Sequence, residues 1–484
     1  MGSATDWLFV GLSALALGAV VAAAEWIDWG SNAEGTSRRG VHAVVCGFVA
    51  VSPWLFSGPG PILLLSSAFV LVNGMAWWRG WWPRLHGARP GSWGTVALPL
   101  AVLPAVAATW AVSQDRLLAF QAAFLVLGSA DPVASWVGER VGTFRWVAQA
   151  SGAGTAAFVL VAWGGLGAVL VAAGVPAGRA VAGAGAIALV GAVTEAISEH
   201  GSDNLFVVLA VILGVLLFQE TEGGLRLLWG SLGVGGAVGA GATYGQLLTP
   251  RGSAAAGLFA AALVGLGGVD WVVPGVVFFG LSSALSFLPS AEHPPRPPRR
   301  TVRQVLANGG VAWILLSVGR LVPPAADEMR GLCYVGFVGA LAAAAADTWA
   351  TELGMRGGER PRSLRTLRPV APGTSGAVSL SGTLAGALGA GTVVGSAGAV
   401  AGFGAAGAGA MLAGGVAGMI ADSLLGATVQ AHERAGAEGR WRELSAPAAA
   451  PARGWAFVDN DVVNLVGTLV GAAGAMGGLL IIGA

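Results

Sequence analysis

The sequence predicts an all-α polytopic integral membrane protein with about sixteen transmembrane helices. Three observations support this fold class: 55% of the 484 residues are hydrophobic, only 11% are charged, and 79 are glycine. Soluble domains carry about twice that charge fraction, and frequent small residues let helices approach closely in lipid. The net charge is +1, so we expect no basic surface for nucleic acid.

Apolar segments long enough to cross a bilayer of about 30 Å recur along the whole chain. Their approximate centres lie at residues 16, 49, 68, 103, 126, 163, 188, 211, 237, 262, 280, 312, 340, 386, 412 and 473. The first segment has neither a basic flank nor a small-residue cleavage site, so we interpret it as a retained helix. Cys46 and Cys333 lie far apart in apolar runs, which predicts neither a disulfide framework nor a CxxC metal site.

The arginines predict the orientation of these spans. The chain has no lysine, and a sixteen-span topology places 21 of its 26 arginines on one side. Because cytoplasmic loops are enriched in arginine and lysine, we expect that side to be cytoplasmic and both termini to lie outside. The same side collects 18 of the 25 acidic residues, so we also expect the working face of the protein there.

Two parts of the chain repeat one order of motifs. ADPVASWVGERVG at 130–142 matches ADTWATELGMRGG at 346–358, and a Gly-Thr pair follows each, at 154–155 and 373–374. Next in both parts comes an acid at the end of the next-but-one span, Glu195 or Asp422. An Asp-Asn pair then precedes the last span, at 203–204 and at 459–460, with Asn464 just beyond the second pair. Eight spans separate equivalent points, so both copies share one orientation. The sequence therefore predicts a parallel tandem repeat of two eight-helix halves, 1–247 and 248–484.

Acidic residues in or beside the spans predict metal sites. An ionisable group inside a membrane span is costly unless it is paired, hydrated or bound to a cation. Mg²⁺ binds a few carboxylates and completes its shell with water and substrate phosphates. We expect a site in each half, formed by Asp131, Glu195 and Asp203 in the first and by Asp347, Glu352, Asp422, Asp459 and Asp461 in the second. For Asp131 and Asp347, the alternative is a helix-end cap or an ion pair with arginine.

The segment RGGERPRSLRTLRPVAPGTSG at 356–376 predicts phosphate binding. It places five arginines before a Gly-Thr-Ser-Gly turn. Arginine binds phosphate with two parallel hydrogen bonds, and glycine lets backbone N–H groups turn toward an anion. The candidate residues are Arg362, Arg365, Arg368, Gly373, Thr374 and Ser375. A simple orientation signal is the alternative, but it explains only the arginines and not the turn.

Other polar residues are candidates with a structural alternative. Arg303, Gln304 and Asn308 begin the twelfth span, and the two amides share one helix face, where they either bind the cofactor or join helices. His42 is a candidate proton acceptor for an alcohol, although the sequence favours a histidine packed in the core. The Pro-rich segment 289–300 has no chemistry that we can assign.

From about residue 248 onward, the chain resembles the integral-membrane phytyl-phosphate kinase family. The resemblance rests on GLFAAALVGLGG, VFFGLSSALS, RQVLANGG, ADTWATELG, RPRSLRTLRPVAPGTSGAVSLSGT and IADSLLGATVQ. It implies phosphoryl transfer from a nucleoside triphosphate, typically CTP, to a prenyl monophosphate. The family's GTNGG-like turn appears at 373–377, where Arg368 or Pro369 replaces its nearby lysines.

The N-terminal half is similar, more weakly, to the phytol and dolichol kinase family, which phosphorylates prenyl alcohols. SRRGVH, PGSWGTVALPL, ADPVASWVGERVG, ASGAGT and TEAISEHGSDN carry this similarity. The family's Lys-Ser-x-Glu-Gly-Ser pattern remains here without its lysine and glutamate, which leaves open whether this half has an active site. The remaining candidate cofactor-binding residues are Gly154, Thr155 and Asn204 in this half and Asn464 in the second half.

Together the resemblances imply two successive phosphorylations of one prenyl lipid at the cytoplasmic face, with CTP as donor and Mg²⁺ as cofactor. The first half would convert the alcohol to a monophosphate and the second would form the diphosphate. The expected catalytic residues are His42, Asp131, Asp347 and Asp422. The alternatives are a cytidylyltransferase that forms a CDP-lipid and releases pyrophosphate, and a secondary transporter. Transporter repeats usually bind substrate at the membrane midplane, whereas these motifs cluster at one face.

Overall fold

The computed structural model describes residues 4–483 except 27–32, 83–90, 143, 146–149, 222, 286–298, 324–325, 371–372, 436–439 and 444–451. Its described residues form sixteen α-helices and two short two-stranded sheets. The protein is thus an all-α polytopic membrane protein, as the sequence predicts. The chain divides into two compact units, Met1–Gly233 and Val234–Ala484.

The first unit contains eight helices and the beginning of a ninth. These are α1 (Ala4–Trp26), α2 (Ala33–Leu55), α3 (Gly60–Arg79), α4 (Gly94–Ala108), α5 (Leu117–Val141), α6 (Gly152–Ala172), α7 (Ala177–Ile197), α8 (Asp203–Glu220) and α9 (Gly224–Tyr244). Helix α5 packs against α2, α6 and α8. Its apolar side chains Phe120, Phe124 and Leu127 are fully buried, so α5 forms much of the core of this unit.

The second unit contains the remaining seven helices and the sheets. The helices are α10 (Pro250–Ala262), α11 (Val269–Leu285), α12 (Val302–Leu321), α13 (Asp327–Gly354), α14 (Leu380–Ala401), α15 (Ala405–Thr428) and α16 (Asn460–Gly483). Strands β1 (Arg362–Ser363) and β2 (Ala377–Val378) pair antiparallel, as do β3 (His432–Ala435) and β4 (Arg440–Glu443). A π-helical turn at Leu263–Gly267 continues α10.

Helix α13 forms the core of the second unit. It packs against α11, α12, α14, α15 and α16, and its segment 335–346 is buried at every position. Small residues make this packing close. A Cβ added at Gly414 of α15 would lie 2.5 Å from the carbonyl oxygen of Gly471 in α16, so these two helices can approach this closely only with glycine there.

Eleven of the described helices are long and apolar enough to cross a membrane. They are α1, α3, α5 to α8 and α12 to α16, while α4 and α11 are shorter apolar helices. Each of the sixteen predicted span centres falls within one described helix. The number and order of helices therefore agree with the sequence, and membrane crossing by all sixteen stays a prediction.

One helix crossing in the first unit depends on two glycines. Ser151 caps α6 by accepting a hydrogen bond from the backbone N–H of Gly154 at 3.0 Å. A Cβ added at Gly154 would lie 2.9 Å from the carbonyl oxygen of Ala134 and 3.4 Å from the Cα of Gly138 on α5. The beginning of α6 therefore lies directly against the backbone of α5.

The second unit contains the same crossing between α13 and α14. Ser379 accepts a hydrogen bond from the N–H of Gly382 at 3.0 Å. A Cβ added at Gly382 would lie 3.0 Å from the carbonyl oxygen of Ala350 and 3.5 Å from the Cα of Gly354. Ala350 and Gly354 hold the positions in ADTWATELG that Ala134 and Gly138 hold in ADPVASWVG. The shared crossing supports a repeat of this helix pair, α5 and α6 in the first unit and α13 and α14 in the second. The eight-helix repeat as a whole stays a prediction.

The structure also changes which Gly-Thr pairs correspond. Gly154 and Thr155 lie in the first turn of α6, whereas Gly373 and Thr374 lie in the loop before α14. The counterpart of Gly154 and Thr155 is the pair at 382–383, because it follows the capping serine of α14 in the same way. The sequence match between 154–155 and 373–374 was therefore wrong, because the first pair begins α6, whereas the second pair lies in the loop before α14.

Candidate functional site

A cavity of about 830 Å³ lies in the second unit, around the C-terminal end of α13. Parts of α11, α12, α14, α15 and α16 line it together with the loop between α13 and α14. This cavity brings together many candidates that are distant in sequence: Gln304, Asn308, Asp347, Glu352, Gly373, Thr374, Ser375, Asp422 and Asn464.

A second, much smaller cavity of about 10 Å³ lies between α12, α13, α15 and α16. Its polar lining residues include Asn308, Asp347, Asp422 and Asn464, all of which also line the large cavity. A volume of this size is about that of one water molecule. Gly467 leaves room here, because a Cβ at that position would lie 3.3 Å from the Cβ of Asp422. Two carboxylates and two amides thus surround one small polar space.

Asp459 and Asp461, two of the predicted metal ligands, pair with an arginine instead. Nη2 of Arg303 donates to Oδ2 of Asp459 at 2.7 Å, and Nε of Arg303 lies 3.6 Å from Oδ2 of Asp461. Neither aspartate lines the large cavity. The structure therefore places Arg303 and both carboxylates in an ion-pair cluster that joins the beginnings of α12 and α16.

Glu352 lines the large cavity but also pairs with Arg356, one turn further along the chain, at 3.4 Å. Among the described residues, no group of three or more Asp, Glu, His or Cys side chains is arranged to hold a metal ion. The five predicted carboxylates therefore do not form a single cluster among the described residues, and three of them lie close to arginines. Asp347 and Asp422 remain at the small polar space, and Mg²⁺ can bind through one or two carboxylates when substrate phosphates complete its shell. The carboxylates of Asp347 and Asp422 therefore fit a Mg²⁺ ion that also binds substrate phosphates.

The turn at 373–376 forms part of the cavity wall and is fixed to the end of α15. Gly373 and Gly376 have φ angles of +75° and +71°, a conformation that favours glycine. A Cβ added at Gly376 would lie 2.2 Å from the backbone nitrogen of Ala427. The Ser375 hydroxyl donates to Oε1 of Gln430 at 2.6 Å. This turn is therefore held against the helix that carries Asp422.

The loop arginines do not reach the cavity wall. Arg362, Arg365 and Arg368 are exposed, and none of them lines the cavity. Arg362 instead donates to the carbonyl oxygen of Leu367 at 3.0 Å, which stabilises the turn between β1 and the 373–376 segment. The sequence grouped these arginines with the glycine turn because they are neighbours in the chain, but only the turn faces the cavity.

Gln304 and Asn308 line the cavity and also make local helix contacts. Oε1 of Gln304 accepts from the N–H of Thr301 at 2.9 Å, and the Thr301 hydroxyl accepts from the N–H of Gln304, which forms a capping box. Nδ2 of Asn308 donates to the carbonyl oxygen of Gln304 at 3.0 Å. Both amides thus help to form the beginning of α12 and can still present polar atoms to the cavity.

Sequence reasoning missed two charged residues of the wall, Arg300 and Glu359. Burial lowers the pKa of the Arg300 guanidinium, and the negative charge of Glu352 opposes this shift. Glu359 accepts a hydrogen bond from the N–H of Ser381 at 3.3 Å, near the beginning of α14. The position of Arg300 directly before the Thr301 cap was the available signal, but the Pro-rich segment preceding it is typical of a loop.

In the first unit, His42 of α2 lies beside Asp131 of α5. Nε2 of His42 is 3.2 Å from the carbonyl oxygen of Leu127, 3.6 Å from Oδ2 of Asp131 and 3.7 Å from Sγ of Cys46. Sγ of Cys46 is within reach of a weak hydrogen bond with sulfur, and the distance to the carbonyl oxygen of Leu127 is that of a good N–H···O hydrogen bond. This contact suits a packed histidine that donates to α5, which is the alternative that the sequence favoured.

The other first-unit candidates lie at helix ends. Glu195 is in the last turn of α7, and Asp203 begins α8. Asn204 is buried, and its Nδ2 donates to the carbonyl oxygen of Gly94 at the beginning of α4 at 2.8 Å. Helices α4 and α8 are thus joined at their beginnings, as Arg303 and Asp459 join α12 and α16.

Comparison with known proteins supports a membrane family for the second unit. The family model described as "Integral membrane protein DUF92" matches residues 234–472, and this match begins at the first residue of the second unit. An uncharacterized membrane protein of Methanocaldococcus jannaschii is 32% identical over 36% of the chain and 59% of its own length. Protein PGR of Arabidopsis thaliana is 30% identical over 34% of the chain and 65% of its own length.

An uncharacterized membrane protein of Synechocystis is 33% identical over 30% of the chain and 47% of its own length. The chain therefore covers less than two thirds of each of these relatives. No solved structure matches it. Together with the apolar helices, these matches identify a multi-pass integral membrane protein.

Proposed function

We propose that the second unit is a phosphotransferase that converts a prenyl monophosphate to a prenyl diphosphate with CTP as donor. The observation that carries this proposal is the convergence of Asp347, Asp422, Asn308, Asn464 and the 373–376 turn on one cavity. In the proposed reaction, a phosphate oxygen of the prenyl monophosphate bonds to the γ-phosphorus of CTP. The bond between that phosphorus and the β–γ bridging oxygen breaks, and CDP leaves.

The charge of the cavity supports a cation-dependent reaction. Its wall contains four acids, Asp347, Glu352, Glu359 and Asp422, against the single arginine Arg300. Such a wall repels phosphates unless a cation accompanies them. Mg²⁺ at Asp347 and Asp422 would supply that charge and stabilise the transferred phosphoryl group. The backbone of the 373–376 turn and the amides of Asn308 and Asn464 would orient the phosphates.

The apolar part of the wall suits the lipid chain. Phe278, Met419 and Ile420 line the cavity, and Ile420 is also 51% exposed on the surface of the unit. In a membrane protein, an exposed isoleucine on a spanning helix contacts lipid. We therefore place the prenyl chain past Ile420, so that it stays in the bilayer while the phosphate enters the cavity.

Product analysis tests this proposal. We expect purified full-length protein with Mg²⁺, γ-labelled CTP and geranylgeranyl monophosphate to yield labelled prenyl diphosphate and CDP. The appearance of a CDP-lipid with pyrophosphate would identify a cytidylyltransferase instead. Binding or vesicle uptake of the lipid without any chemical product would favour the transporter.

For the first unit we propose phosphorylation of the prenyl alcohol at a separate site near Asp131. We expect Asp131→Asn to abolish conversion of the alcohol and to leave monophosphate turnover within about twofold, because Asp131 lies in the first unit. The measurement compares both substrates with wild-type and variant protein. Equal loss of both activities would contradict separate sites, and loss of neither would mean that the first unit is inactive in this chemistry.

We also propose that the cavity faces the cytoplasm, where CTP is available. Residue 363 lies in β1 of the loop that lines the cavity, so a cysteine there reports on this face. In a background without Cys46 and Cys333, we expect Ser363→Cys to resist an impermeant thiol reagent in intact cells and to react in inside-out vesicles. Labelling in intact cells would contradict the cytoplasmic face.

A further inference from the structure

Arg300 occupies a distinct position in the cavity wall. Among the described residues that line this cavity, it is the only arginine, and the chain has no lysine. The arginines that the sequence selected for phosphate lie elsewhere, in the exposed part of the loop between α13 and α14 or in the ion-pair cluster with Asp459. A phosphate in the cavity therefore has Arg300 as its basic partner within the wall.

The backbone around Arg300 is held firmly. Its N–H donates to the carbonyl oxygen of Leu247 at 3.1 Å, and its own carbonyl oxygen accepts from the N–H of Thr249 at 2.9 Å. A Cβ added at Gly252 would lie 2.8 Å from that same oxygen. Arg300 is thus fixed between the beginning of α10 and the Thr301 cap of α12, which restricts where its side chain can reach.

The surroundings of the guanidinium favour a strong interaction with an anion. The Arg300 side chain is partly buried, and this burial lowers the pKa of its guanidinium, yet arginine stays protonated at neutral pH. Charges interact more strongly where water is partly excluded. Glu352, its acidic neighbour, also pairs with Arg356, so its negative charge is shared between two arginines.

We propose that Arg300 forms an anion subsite that binds a phosphate group through two parallel hydrogen bonds to its oxygens. This inference rests on the proposed function and adds a residue to it. The phosphate belongs either to the prenyl monophosphate or to CTP, and the KM of each substrate distinguishes these sources.

The test compares Arg300→Gln and Arg300→Lys with the neighbour variant Arg299→Gln. Arg299 is exposed and does not line the cavity. We expect Arg300→Gln to raise the KM of one substrate by about tenfold or more, because a charged partner of phosphate is lost. Arg300→Lys should recover part of the affinity, since lysine keeps the charge but not the planar fork. Arg299→Gln should keep both KM values within about twofold.

Two outcomes would contradict the proposal of an anion subsite at Arg300. One is an Arg300→Gln variant with normal melting temperature and unchanged KM values, and the other is a loss of kcat alone. Calorimetric binding of inorganic pyrophosphate with Mg²⁺ separates this inference from the proposed function. Wild-type binding that Arg300→Gln loses and Arg299→Gln keeps would establish the subsite even if no phosphoryl transfer occurs. Absence of both binding and turnover in the wild type would reject both.

Discussion

Asp347→Asn is expected to reduce prenyl monophosphate turnover by at least about 100-fold, the scale of losing a ligand of a catalytic metal. The substitution preserves size and removes the charge. Asp347 lines both the large cavity and the small polar space that it shares with Asp422. The measurement is kcat/KM across a Mg²⁺ titration, and the decrease should be partly reversed at high Mg²⁺ if the carboxylate binds the ion.

Asp459→Asn is the matched control for this prediction. Asp459 is also an acid of the second unit, but it lies directly before α16, pairs with Arg303 and does not line the cavity. The two side chains are 52% and 41% exposed, so the ion pair contributes little to stability. We expect a change in turnover below about threefold. A large loss in Asp459→Asn, or wild-type turnover in Asp347→Asn, would contradict the assignment.

Much of the fold was predictable because eleven of the sixteen described helices satisfy the same local requirement. The bilayer demands about twenty apolar residues per helix, and that signal is independent of packing. This explains why every predicted centre falls within a described helix. The signal weakens where small residues dominate, as in α10, because glycine and alanine pack well without being strongly apolar.

The central residues of the candidate site could also be predicted from the sequence. Asp347 and Asp422 stood out because ionisable groups within apolar spans need partners or function, and both line the large cavity. Asn464 stood out through the Asp-Asn motifs before the last span of each half. Asp347 and Asp422 can be selected as candidates without knowledge of their neighbours, since an ionisable group in a span is unusual.

The rest of the site depends on contacts that sequence spacing does not encode. Asp459 and Asp461 have the composition of metal ligands, but Arg303, more than 150 residues earlier, pairs with both. Arg300 follows a segment that is Pro-rich in sequence, and its bridge to Leu248 places it at the cavity. Such assignments require knowing which helix ends meet, and that is a property of the tertiary structure.

Gly376→Ala is expected to damage the second unit much more than Gly373→Ala, although both glycines have positive φ angles. The left-handed conformation costs alanine about 1–2 kcal/mol at either position. At Gly376, the new Cβ would also lie 2.2 Å from the nitrogen of Ala427, whereas nothing lies within 4 Å of a Cβ at Gly373. Since backbone rather than a flexible side chain blocks Gly376, the whole turn must move away from α15.

The measurements are the melting temperature in detergent, the turnover of prenyl monophosphate and the KM of CTP. We expect Gly373→Ala to lower the melting temperature modestly and to keep most of the activity. Gly376→Ala should lower it further and reduce turnover by at least about tenfold, since the displaced turn no longer presents its N–H groups to phosphate. Equal effects of both substitutions would show that the contact with Ala427 does not determine the position of the turn. A stable Gly376→Ala variant with wild-type turnover would remove the 373–376 turn from the proposed phosphate site.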